Sequence, residues 1–147
     1  MAKGFVVTEE IASAPDLVWA ALTDPARMPL WMGSIAQVRP ADPRPLAEGS
    51  RLITTLASAR GKGQAREARI VAWEPESRFA LASEEGGVSA VYEYRCAPSQ
   101  HGTRVTLDAR CTARGFPWRL LHPLIAYLMA RSDGGQLKAL KRLVETG

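Results

Sequence analysis

Cysteine and histidine are scarce here, with two of each in 147 residues. Two cysteines cannot staple a disulfide scaffold, so the fold must rest on a hydrophobic core. No cluster of His, Cys or Asp has metal-ligand spacing, so no metal is expected. No apolar run reaches the roughly 18 residues that mark a membrane-spanning helix. The opening MAKGFVVTEE has no apolar stretch ending in a small-residue cleavage site. A cytoplasmic location without integral membrane contact is therefore expected. A glycine-rich phosphate loop opening a helix after a strand is missing, as is a Ser-centred nucleophile elbow, and no cofactor is expected. Lysine occurs only at Lys3, Lys62, Lys138 and Lys141. The net charge of +4 thus rests mainly on scattered arginines. Without a dense basic run it reads as a solvated surface, and no nucleic-acid partner is expected.

What is present is ordinary globular material, 46% hydrophobic and 23% charged. The length fits a single domain over residues 1–147 with a sizeable core. Phe5 to Ile11 opens with β-branched and apolar residues and predicts a strand. Ser13 is placed to cap a helix with Pro15 in its first turn, and Val18, Trp19 and Leu22 share one face of it. Asp24-Pro25 ends that helix, and a second short one is predicted over Ala26 to Met32. A turn-rich connection follows, with one short strand at Ile35 to Arg39. Strands are then predicted at Arg51–Ala59, Gln64–Trp73, Arg78–Ser83, Val88–Ala97 and Thr103–Ala113. The first of these turns is Arg60-Gly61-Lys62-Gly63, and another is Glu84-Glu85-Gly86-Gly87. Regular spacing with short glycine turns describes an antiparallel meander. From Phe116 to Val144 the period is helical. Two apolar stripes out of phase flank Gly134-Gly135, which predicts a kink or a break there; Pro123 restricts the start of this helix. The class is α+β.

In this order the residues resemble the START-like, or SRPBCC, superfamily, whose helix-grip fold is that of the birch pollen allergen. The resemblance is nearest to the bacterial polyketide cyclase/dehydrase and lipid-transport branch. It is carried by Ile11-Ala12-Ser13-Ala14-Pro15 with Val18-Trp19, by Asp24-Pro25 with Trp31, and by Gly49. Trp73-Glu74-Pro75, Pro98 with Gly102-Thr103-Arg104-Val105-Thr106, and Leu137 to Leu143 continue it along essentially the whole chain. The resemblance implies a curved antiparallel sheet of six or seven strands around a long C-terminal helix, with two short helices after the first strand. It also implies a deep apolar cavity for a small hydrophobic molecule of lipid, polyketide or aromatic type. Family members include enzymes, carriers and co-chaperones, so the fold leaves the function open.

Pairing Ala97 with Arg104 in the last hairpin sets a register. Tyr92, Tyr94 and Cys96 then share the inner face with Val105, Leu107, Ala109 and Cys111. Glu93, Arg95, Asp108 and Arg110 fall on a solvated outer face. In this register Cys96 and Cys111 are six residues apart along the hairpin, about 20 Å at strand rise, too far to bridge. Ala68, Ile70 and Ala72 are expected to line the pocket on the return strand, the two alanines leaving room for a ligand. Leu121, Leu124, Ile125, Leu128 and Met129 are expected as its lid, and Trp31 and Met32 near its mouth. Tyr92 and Tyr94 are the polar candidates, since a buried phenol needs a partner. One of Thr54 and Thr55 must point inward.

A cyclase or dehydratase needs an acid or base inside such a pocket. His101 belongs to an exposed turn, and His122, beside Pro123, reads as a surface or capping residue. No strand of assigned register carries an inward carboxylate or imidazole. Binding of a hydrophobic molecule is accordingly the primary expectation. Cyclase-like catalysis is the first alternative and a protein-interaction module the second. The last would show a filled core and an exposed apolar patch on the Trp118 to Leu128 side. A homodimer is compatible with a domain of this size.

Overall fold

Seven strands pair antiparallel in one sheet that runs first, seventh, sixth, fifth, fourth, third, second, so every neighbour is sequential except the first and seventh. A computed structural model describes residues 3–57, 65–85, 87–115 and 117–146. The strands are β1 (Lys3–Ile11), β2 (Ile35–Pro40), β3 (Arg51–Leu56), β4 (Ala65–Glu74), β5 (Arg78–Glu85), β6 (Val88–Ser99) and β7 (Gly102–Ala113). Helices α1 (Pro15–Leu22) and α2 (Met28–Trp31) follow the first strand, and α3 (Trp118–Asp133) and α4 (Gln136–Thr146) close the chain. This is the expected helix-grip arrangement. The hairpin turn expected at Arg60 to Gly63 lies outside the described residues, as does Gly86 of the β5–β6 turn.

Local chemistry explains most boundaries. Pro15 starts α1 at a position where its missing N–H is no loss. The N-cap, however, is Ala14 and not Ser13, and no side chain caps the helix. The Ser13 carbonyl instead accepts the Thr103 hydroxyl at 2.8 Å, which pins the helix start to β7. Gly102 sits beside the same junction at φ 146, where a Cβ would lie 2.3 Å from the Ile11 carbonyl oxygen. Only glycine permits that approach. The last helix breaks after Asp133 at Gly134-Gly135, as the phase change in the apolar stripes requires. Pro123 lies inside α3.

The core collects Val18, Leu22, Met28 and Trp31 of the short helices against Phe79, Tyr94, Val105 and Leu107 of the sheet. Leu137 and Leu140 of α4 complete it. Two polar clamps fasten α4 to the end of β1. The Ala12 N–H donates to Glu145 at 2.8 Å, and Lys141 donates to the Glu10 carbonyl at 2.8 Å. The predicted β6–β7 register, Ala97 opposite Arg104, is the observed one, and both cysteines are free and buried.

Two expectations about faces are corrected. Between Ile70 and Ala72 the β4–β5 register shifts, so Val71 forms a bulge. One extra residue reverses the pleat. Ile70 is opposite Leu81 on the inner face, but Ala72 is opposite Ala80, which pairs with Glu93 on the outer one. Glu93 itself is only 3% exposed, so the outer face is not uniformly solvated. Arg78 donates to one Glu93 oxygen, and Arg95 lies 2.7 Å from the other as an ion pair. Among the described residues no helix is long and apolar enough to cross a membrane.

Candidate functional site

Because α4 fills one end of the curved sheet and α3 only spans the other, a cavity of about 590 Å³ remains under α3. Its sheet wall is Ala68 of β4, Leu81 of β5, Ala90, Tyr92 and Tyr94 of β6, and Cys111 of β7. Ile35, Thr54, Leu56 and Arg66 line the side toward the β2 edge, and Ile125, Leu128 and Met129 form the roof. Alternation along the strands dictates the wall, since residues two apart share a face. Small side chains at Ala68 and Ala90 leave the space unfilled.

One end of this apolar chamber is polar. Asp133 closes α3 and Gln136 opens α4, and the glycine break between them lets both face inward. The Tyr92 hydroxyl donates to one oxygen of Asp133. Ser34 donates to the other at 3.1 Å, and Ser132 approaches it at 3.5 Å. Tyr94 donates to the side-chain oxygen of Gln136 at 2.6 Å. Aromatic packing fixes the Tyr94 ring, which meets Trp31 edge-on at 5.4 Å and stacks on Phe79 at 6.0 Å. Burial, then the Asp133 charge and hydrogen bond, hold the Tyr92 phenol well above its ordinary range. Burial and the same carboxylate raise Tyr94. Both hydroxyls therefore stay protonated at any physiological pH.

Of the sequence-derived site residues, Met32, Ala68, Tyr92, Tyr94, Ile125 and Leu128 come together around the chamber. Trp31, Ile70 and Leu107 are fully buried core residues behind its wall. Trp31 therefore braces Tyr94 rather than standing at a mouth. Ala72 is on the outer face because of the Val71 bulge. Leu121 and Leu124 are exposed, since the inward face of α3 is set by His122, Ile125, Met129 and Asp133. That face is rotated from the leucine stripe by about a quarter turn. Thr54, not Thr55, lines the chamber.

His122 is buried, against the surface role expected for it. Its Nε2 lies 2.9 Å from the Cys111 carbonyl and ties α3 to β7. His101 is exposed in its turn, as expected. Sequence reasoning missed Asp133, Gln136 and Ser34. One signal for Asp133 was available: an acidic residue in the last turn of a helix opposes the helix dipole and calls for a reason. Among the described residues no three His, Cys, Asp or Glu side chains converge to hold a metal.

Two other surface features stand apart. A second, smaller depression of about 350 Å³ on the outer side of β4–β6 mixes Glu67, Arg69, Glu84 and Ser89 with Ala82 and Val91. The outer side of α3 exposes Trp118, Leu120, Leu124 and Tyr127, and Leu128 of the roof is itself half exposed.

A family model described as polyketide cyclase / dehydrase and lipid transport matches residues 3–145. No curated protein matches the sequence. Among solved structures, protein NE0264 from Nitrosomonas europaea is 20% identical at a TM-score of 0.72, over 98% of this chain and 95% of that one. The di-domain ARO/CYC StfQ from the steffimycin biosynthetic pathway is 13% identical at a TM-score of 0.77. That alignment covers 99% of this chain and 51% of StfQ, about half the di-domain protein. Ara h 8.0201 is 12% identical at a TM-score of 0.74, with both chains fully covered. Likenesses at this identity establish the shared fold.

Proposed function

The chain belongs to the polyketide cyclase / dehydrase and lipid transport family, and we propose that it binds a small hydrophobic molecule in the cavity beneath α3. The observation that carries this reading is the chamber itself, about 590 Å³ with apolar walls and one polar end. A space of this size and character is what small-molecule sites have. A neutral fluorescent probe, N-phenyl-1-naphthylamine, tests it. Saturable binding is expected, and Ala68→Phe or Ala90→Phe should weaken it by at least about tenfold by filling the space. Absence of saturable binding, or affinity indifferent to both substitutions in a folded protein, overturns the reading.

The Tyr92–Asp133 pair favours a second reading, acid-base catalysis on a bound polyketide-type carbonyl compound. Cyclisation or dehydration needs a proton donor and acceptor inside the cavity, and this pair places both there. Turnover of a model poly-β-carbonyl thioester should then vanish in Asp133→Asn and Tyr92→Phe. Turnover that survives both removes the pair from any catalytic role. The protein-interaction reading fits less well, because it expects a filled core, although the apolar patch it expects is present on α3.

A further inference from the structure

We propose that this cavity selects hydrophobic molecules whose polar end donates hydrogen bonds, such as a hydroxyl, a phenol or a protonated amine, and disfavours those ending in a carboxylate. The inference rests on the ligand-binding reading above and adds the head group that the site takes.

The argument is an accounting of protons at the polar end. Four hydroxyls stand there, and each has an acceptor within the protein. Tyr92, Ser34 and Ser132 turn toward Asp133, and Tyr94 turns to Gln136. An ionised carboxylate only accepts. With those protons engaged internally, what the hydroxyls present to a ligand is lone pairs. The Asp133 carboxylate adds acceptor capacity and negative charge. The Gln136 amide nitrogen is the one remaining donor of this group. A ligand that brings its own proton pairs with these lone pairs. A ligand that brings a carboxylate finds few donors and a like charge across an apolar, poorly solvated space. Rejection by an unpaired or repelled polar group is the stronger half of such selectivity.

The tyrosines cannot readily reverse this polarity. Tyr94 is clamped between Trp31 and Phe79, and Tyr92 is held by Asp133. Both phenols are pushed away from ionising, so they stay as hydroxyls bonded to their acceptors. The contrary outcome has an identifiable agent as well. Arg66 is the one cationic side chain among the described lining residues, and it stands beside Thr54 at the other side of the chamber. A ligand oriented with a carboxylate toward Arg66 would bind in the opposite sense.

Three twelve-carbon probes that differ only in head group separate these cases: dodecanol, dodecylamine and dodecanoate, each displacing N-phenyl-1-naphthylamine. At a pH where dodecanoate is ionised, the alcohol or the amine should displace the dye at a concentration at least about tenfold lower than dodecanoate. Asp133→Asn should bring the three within about threefold of one another, because it removes the charge and adds a donor. Tyr92→Phe, which keeps the carboxylate, should preserve the preference and serves if Asp133→Asn does not fold. Equal displacement by all three in the wild type overturns the head-group inference and leaves the cavity-binding reading standing. Preference for dodecanoate, lost in Arg66→Gln, overturns it in favour of the reverse orientation. If the dye itself does not bind, the ligand-binding reading fails and this inference fails with it.

Discussion

Tyr92 of β6 and Asp133 of α3 are joined hydroxyl to carboxylate inside the cavity, and that bond fastens the glycine break in the last helix to the centre of the sheet. Its stability contribution is open to measurement. Tyr92→Phe should cost about 1.5 to 3 kcal/mol in urea unfolding, the usual range for a hydrogen bond to a charged group. Asp133→Ala should cost more, because it strands both Tyr92 and Ser34. A double-mutant cycle should give a coupling above about 0.5 kcal/mol. Strict additivity of the two substitutions contradicts the pairing.

The outer face carries a second test. Burial by itself pushes the Glu93 carboxyl up, but the hydrogen bond and charge of Arg78, followed by Arg95, outweigh it and leave the group below its ordinary range. A carboxyl depressed in the folded state stabilises the protein above its unfolded value and loses that contribution as pH falls through the folded one. Unfolding free energy should therefore decline with acidification below about pH 4.5, and Glu93→Gln should flatten that part of the curve. At neutral pH the same substitution should cost on the order of 2 kcal/mol. An unchanged acid limb in Glu93→Gln would show that the carboxylate is not paired as described.

Burial raises the Cys96 thiol to about 11 and raises Cys111 as well. Nucleophilic attack needs the thiolate. Native protein at pH 8 should therefore react with a disulfide reagent only on the timescale of unfolding, with both thiols appearing together in denaturant. Oxidation should give no internal disulfide, since the two lie six register positions apart on β6–β7. Prompt labelling of either thiol in the native state contradicts this.

The two sides of α3 make separable predictions. Leu120→Gln and Leu124→Gln change exposed residues and should leave dye affinity within about twofold and stability within about 0.5 kcal/mol. Met129→Gln places an amide in the cavity roof and should weaken the dye markedly. The opposite pattern would mean that α3 turns its leucine stripe to the ligand.

Much of this molecule was legible in the sequence. The antiparallel meander follows from the short turns, and the β6–β7 register and the inward tyrosines follow from alternation, because a single residue of slip would put Val105 and Leu107 in water and Asp108 inside. The break in the last helix follows from Gly134-Gly135 and the phase change around it. Other features depend on contacts far apart in sequence. Ala72 leaves the inner face through a bulge at Val71, a β-branched residue that gives no local warning. Glu93 is buried by arginines from the neighbouring strand and from its own strand two residues on, not by its own sequence position. The inward faces of α3 depend on how the helix docks through His122 on Cys111, so Leu121 and Leu124 cannot be told from Ile125 by period alone. Asp133 faces inward for the same reason, with its place against the helix dipole as the one clue.

The central claim is that the chamber, and not the outer surface, holds a hydrophobic molecule. The most direct measurement is a set of intermolecular NOEs between dodecanol and methyl-labelled protein. The account predicts NOEs to Leu81, Ile125 and Met129, which line the chamber. NOEs confined to Leu120 and Leu124 on the outer side of α3, or none at all, would contradict it.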